Sequence, residues 1–178
     1  MQIGGRFWTL SNIISLSRVF VVLPGIWWLF QTGEHARLWA TLWFVLAALT
    51  DAVDGMIARW LNQVSEWGKV IDPFADKVSV ALAVVALYVT GDIPLWFLIL
   101  LVFRDVAIFI AATLMTARLQ TIPVSSWVGK VAVTVMGITL IFATLQWEAG
   151  LQWGMVISTI FVVASLIDYA KRMMAALR

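Results

Sequence analysis

Residues 51–77 read DAVDGMIARWLNQVSEWGKVIDPFADK and place four aspartates, Asp51, Asp54, Asp72 and Asp76, in a chain that is 62% hydrophobic and only 12% charged. Ionisable groups at membrane depth are costly, and they face a bundle interior or a wet cavity where they serve a site. At about 100° per residue, Asp51, Asp54, Gly55 and Ala58 fall on one helical face. Gly68, Asp72 and Asp76 form a second stripe of the same kind. Two consecutive helices joined by the polar stretch 62–66 therefore present two carboxylates each toward one point.

Such a cluster asks for cations. Like charges at a few ångströms raise one another's pKa strongly, and two divalent ions would cancel four negative charges. All-oxygen ligation favours Mg²⁺, Mn²⁺ or Ca²⁺ over zinc. The chain has no Cys and a single His, His35, so softer metal sites lack ligands. Gly55, Ala58 and Gly68 clear space beside the carboxylates, as a bulky phosphorylated ligand requires. Arg59 adds a fixed positive fork that matches phosphate.

Length and composition suit one polytopic membrane domain over residues 1–178 rather than a soluble core. The formal net charge of +2 is small and scattered, which excludes nucleic-acid binding, and the absence of Cys excludes a disulfide scaffold. No cleavable signal stands out at the N-terminus. The fold expected is all-α, an integral membrane protein with six transmembrane helices. The spans expected are residues 18–30, 37–59, 68–89, 94–115, 124–145 and 152–173, about the length that a ~30 Å hydrocarbon core needs. Residues 7–16 read as a short N-terminal interfacial helix or as the wet start of the first span. Lys and Arg gather at alternate helix ends, which predicts that both termini and the aspartate cluster are cytoplasmic. Many of the 11 Trp lie near span ends, as interfacial anchors do.

Written out, the central stretch is D51xxD54G55xxA58R59, eight residues, then G68xxxD72xxxD76. This resembles, at each defining position, the signature of the CDP-alcohol phosphatidyltransferase family, and the hydrophobic layout extends the likeness over nearly the whole chain. The resemblance implies transfer of a phosphatidyl group from CDP-diacylglycerol to an alcohol hydroxyl with release of CMP. It implies two Mg²⁺ or Mn²⁺ ions on Asp51, Asp54, Asp72 and Asp76, with Asp76 also the catalytic base. Gly55, Ala58, Arg59, Ser65 and Gly68 would bind the CDP-diacylglycerol, and a homodimer in the lipid bilayer, the inner or plasma membrane of a bacterium, is expected.

Asn12, Ser15 and Arg18 resemble the PNxxTxxR sequence that opens many members, with Ser11 in place of Pro and Ser15 in place of Thr. By that likeness Asn12 and Ser15 join the CDP-diacylglycerol site, while Arg18, Arg104 and Lys130 would bind the acceptor. Together with the Gly129-Lys130 pair these residues are similar to the phosphatidylglycerophosphate synthase branch, whose acceptor is glycerol 3-phosphate. That branch usually follows the Arg of the fourth span with Glu and a second Arg eight residues later, where this chain has Asp105 and Ala112. It often follows Gly-Lys with Lys and Thr, where this chain has Ala132 and Val133. The Arg-Asp-Val at 104–106 is similar to eukaryotic-type cardiolipin synthases, which use phosphatidylglycerol. Arg104 beside Asp105 also reads as a self-neutralising pair, and Lys130 as a snorkelling lysine. A reading from another class, a divalent-cation channel or transporter, accounts for the acids but leaves Gly55, Ala58, Arg59 and Gly68 without a role.

Overall fold

The computed structural model describes residues 10–60, 68–119 and 126–176. Within them, side chains are described except at 10–16, 18, 51–60, 68–74, 76, 112, 114–119 and 175–176. Every regular element among the described residues is helical: α1 (Leu10–Leu29), α2 (Ala36–Trp60), α3 (Gly68–Val89), α4 (Leu95–Leu119), α5 (Trp127–Thr144) and α6 (Glu148–Ala176). They fall into two compact units, α1 to α3 and α4 to α6, divided between Thr90 and Gly91. Two of the described helices, Trp127–Thr144 and Glu148–Met174, are long and apolar enough to cross a membrane.

The boundaries expected from sequence hold for α2, α3 and α4 within a few residues. Of the two readings of residues 7–16, continuity with the following helix is the one observed, since residues 10–16 are the start of α1 and form no separate helix, while residues 7–9 lie outside the described set. Asn12 and the neighbouring serines weaken helix propensity but do not interrupt it.

In the first unit α1 packs against both α2 and α3. Its buried face is Val22, Gly25 and Leu29, spaced i, i+3, i+7. Gly25 is required there, since a Cβ would meet Phe44 Cε1 at 2.8 Å and Trp43 Cβ at 3.1 Å. The matching face of α2 is small: Ala36, Ala40 and Ala47 are buried. In apolar surroundings such small faces let backbones approach and let dispersion contacts hold helices together.

The second unit is organised on α6, which packs against α5 and α4. Gly150, Gly154, Ser158, Val162 and Ser165 form its buried stripe, met on α5 by Gly129, Ala132, Met136, Thr139 and Ala143. The end of α5 is closed by a Schellman motif. Trp147 N donates to Phe142 O and Gln146 N to Ala143 O, both at 3.0 Å. Gln146 takes the left-handed position with φ of 54°. The accompanying apolar contact is Phe142 against Trp147, edge to face with centroids 4.7 Å apart.

Outward-facing apolar side chains are numerous in both units, including Phe20, Trp27, Leu42 and Leu49 in the first and Phe103, Phe109, Trp153 and Ile160 in the second. Exposed apolar area of this extent is far beyond a soluble surface and suits contact with lipid.

Candidate functional site

The aspartate positions fall where the packing faces of α2 and α3 continue toward the 61–67 connection. Measured in steps of about 100°, positions 51, 54 and 58 of α2 lie in the same ~60° sector as the buried Ala36, Ala40 and Ala47. In α3, positions 68, 72 and 76 lie in the same ~100° sector as the buried Ala75, Ser79 and Ala86. Both helices are unbroken through these positions, so the i, i+3 and i, i+4 spacings of the sequence are helical spacings. Each stripe thus begins as a surface for helix packing and ends as a row of acids.

The first helix contributes to the same end. Positions 15 and 18 share the buried face of Val22, Gly25 and Leu29, whereas position 12 stands about 80° off it. Because α1 and α2 form a hairpin across residues 30–35, with Gly25 opposite Trp43 and Phe44, positions 15 and 18 stand level with the segment around 50–54. Polar side chains just inside the site are already satisfied by their own helices. Thr50 Oγ1 donates to Leu46 O and Ser79 Oγ to Ala75 O, each at 2.8 Å. Ser65 lies outside the described residues.

The donor set fits a hard divalent cation. Four carboxylate positions stand on the packing faces of α2 and α3, the chain has no Cys, and its one His, His35, is exposed in the 30–35 connection. Among the residues whose side chains are described, no group of three or more His, Asp or Glu forms a second candidate.

In the second unit Arg104 is the buried cation among the described residues. It lies on the same face of α4 as the buried Phe97 and Leu101 and is 8% exposed. Its Nη1 donates to Asp105 Oδ1 at 2.7 Å. Its Nε is buried and finds no acceptor among the described residues. Lys130 is exposed, one turn into α5. That turn is fixed by a residue the motif reading passed over: Ser126 is the N-cap of α5 and its Oγ accepts from Gly129 N at 3.0 Å. A serine directly before an apolar helical run was the available signal. Asp168, given no role from sequence, sits with its Oδ2 3.1 Å from Arg172 Nε, one turn along α6.

Comparison with known proteins identifies the family. The family model for CDP-alcohol phosphatidyltransferase matches residues 8–168. A protein of Mycobacterium tuberculosis (strain H37Rv) named probable phosphatidylglycerophosphate synthase is 31% identical over 180 residues, spanning 96% of this chain and 85% of its own length. A cardiolipin synthase (CMP-forming) of Streptomyces coelicolor is 28% identical over 130 residues, 71% of this chain and 60% of that protein. The CDP-diacylglycerol--glycerol-3-phosphate 3-phosphatidyltransferase of Bacillus subtilis is 34% identical over 106 residues, 56% of this chain and 55% of that one. With acids at the family's spacing on two continuous helices and the family model spanning both helical units, the chain is a transferase that belongs to the CDP-alcohol phosphatidyltransferase family.

Proposed function

We propose that the protein transfers the phosphatidyl group of CDP-diacylglycerol to the hydroxyl of glycerol 3-phosphate, releasing CMP. The observation that carries the acceptor is the likeness to the mycobacterial phosphatidylglycerophosphate synthase over 96% of the chain. A second acceptor, phosphatidylglycerol, is favoured by the likeness to the Streptomyces cardiolipin synthase over 71% of the chain.

Asp51, Asp54, Asp72 and Asp76 would hold two divalent ions, Mg²⁺ or Mn²⁺. When bound, such ions neutralise the pyrophosphate and the developing charge on the departing nucleotide. Gly55, Ala58 and Gly68 leave room for the cytidine, and Arg59, Ser65, Asn12 and Ser15 complete the CDP-diacylglycerol site. Asp76 takes the proton from the acceptor hydroxyl. The acceptor oxygen then bonds to the phosphorus that carries diacylglycerol, and the phosphoanhydride bond to CMP breaks. Displacement is direct in this reading, with Ser15 and Ser65 binding the donor and no Cys in the chain. Arg18, Arg104 and Lys130 bind the phosphate of the acceptor.

Six spans are proposed for a single domain of residues 1–178, with both termini and the aspartates on the cytoplasmic side. The support is the apolar helix lengths and the alternation of Lys and Arg between helix ends. The lipid tails of the donor stay in the bilayer while the soluble partner arrives from the cytoplasm. A homodimer is proposed by family likeness; a monomer by mass across concentrations in mild detergent would refute it.

The decisive experiment measures CMP release by the purified protein with CDP-diacylglycerol and Mg²⁺ or Mn²⁺, offering glycerol 3-phosphate, phosphatidylglycerol, inositol phosphate and serine in turn. Turnover with glycerol 3-phosphate alone, lost in Asp76→Asn, supports the reading. Turnover with phosphatidylglycerol alone replaces the acceptor.

A further inference from the structure

The hairpin of α5 and α6 carries its own measure of a bilayer. Thr139 and Ser158 touch across it at 2.9 Å. Twelve residues back along α5 and twelve on along α6, Trp127 is level with Ala170. Trp127 is 80% exposed, and Trp153, toward the other end of the hairpin, 70%. From Trp153 to Ala170 the helix rises about 26 Å, close to a ~30 Å hydrocarbon core with aromatic residues at both edges. The helix does not stop there. It continues to Ala176, and its first turn past Ala170 holds Lys171 and Arg172.

Trp153, Ile160, Ile167 and Lys171 fall within about 40° of one another around α6, on the side opposite the buried Ser158, Val162 and Ser165. An exposed apolar line therefore ends in an exposed ammonium just past the hydrocarbon edge. Lys171 has no hydrogen-bond or ion-pair partner among the described residues. The Arg172 side chain is 47% exposed, and its Nε stands 3.1 Å from Asp168 Oδ2. Lys130, exposed on α5, is level with Ile167. Among the described residues, this end of the hairpin thus carries three cations against one carboxylate.

We propose that this end is a binding surface for acidic phospholipid, with Lys171 and Arg172 engaging the headgroup phosphates of the surrounding leaflet. A second copy of the chain is the poorer occupant, because it would bring like charges together, whereas an anionic leaflet supplies the opposite charge. The inference goes beyond the transferase reading and needs only that α5 and α6 cross a bilayer, for which both are long and apolar enough. If donor and product are the acidic phospholipids proposed above, the same end gathers them around the protein.

The test is native mass spectrometry of the full-length protein in a neutral detergent with EDTA, titrated with phosphatidylglycerol or with phosphatidylcholine of the same acyl chains. The wild type is expected to favour phosphatidylglycerol by about 25-fold, about fivefold for each of two charges at a lipid surface. Lys171→Gln with Arg172→Gln cuts that ratio at least about fivefold. Lys171→Arg with Arg172→Lys, which keeps both charges and serves as the folding control, retains it. Equal binding of the two lipids by the wild type, or a ratio unchanged in the glutamine variant, shows that these cations only orient the helix and overturns the proposal. A ratio lost in the charge-keeping variant overturns it as well. CMP release is read on the same proteins, so a missing transferase activity refutes the function proposed above without touching the lipid ratio.

Discussion

Thr139 Oγ1 and Ser158 Oγ lie 2.9 Å apart across the α5–α6 interface. One turn before Ser158, a Cβ on Gly154 would stand 2.7 Å from the same Thr139 oxygen. The close approach of the helices and the Thr139–Ser158 cross-link are thus a single feature. Gly154→Leu is expected to destabilise the second unit by about 2–3 kcal/mol, the range for overpacking. Thr139→Val removes the cross-link, worth about 0.6 kcal/mol in apolar surroundings, together with the bond that Thr139 Oγ1 donates to Val135 O within its own helix. Thermal unfolding in mild detergent should rank the two far apart; equal losses would show that the interface closes by hydrogen bonding instead of by shape.

The first unit has its own tight crossing at Gly25. Gly25→Val places carbon against the Phe44 ring and Trp43 Cβ, and should cost about 1–3 kcal/mol. Because the nearest atoms belong to an aromatic side chain, Phe44→Leu should recover part of that loss. A double variant no more stable than Gly25→Val alone would place the strain at Trp43.

At the end of α5 the left-handed residue is Gln146, whose Nε2 also donates to Asp92 Oδ1 at 3.0 Å. Gln146→Val is expected to lose about 1–2 kcal/mol, since a β-branched residue tolerates positive φ poorly. Gln146→Gly relieves the backbone but gives up an exposed hydrogen bond, leaving stability within about 0.5 kcal/mol of wild type. Chemical denaturation of the three proteins side by side checks the order.

At the aspartates, chelation by EDTA should abolish CMP release, and Mg²⁺ or Mn²⁺ should restore it. Asp76→Asn should cut turnover by at least about 10²-fold, the lower scale of general base catalysis, while CMP still protects the protein from heat in the presence of metal. Turnover retained in Asp76→Asn would remove the base assignment. Loss of both turnover and CMP protection would make Asp76 chiefly a ligand.

The helices were legible in the sequence because apolar runs of span length leave little choice of secondary structure, and the aspartates because carboxylates in such runs have few reasons to be there. Their spacing proved to continue the packing faces of α2 and α3, a relation visible in retrospect from Ala36, Ala40 and Ala47 at the same period. The start of α1 stayed open between two readings because residues 11–17 look polar locally, although positions 15 and 18 share the face of Val22 and Gly25. Thr139 and Ser158 were passed over as ordinary helix residues. Small residues at 150, 154 and 158 carried the signal for a close crossing. Ser126 was missed because a capping residue acts on backbone that the sequence does not display. The single-point contact between Arg104 and Asp105 depends on rotamers, so adjacency alone could not separate a fork from a one-nitrogen bond.

The shared face of α2 also sets a phase. Chemistry and packing are read off one helical rotation, so the length of the run between Ala47 and Asp51 matters as much as its content. One inserted alanine would turn the acids by about 100° relative to the face that meets α1, with every residue type intact. Four inserted alanines would bring them back to within about 40° of their original direction while displacing them about 6 Å along the axis. In this enzyme a deletion or insertion in α2 is a rotation before it is a loss.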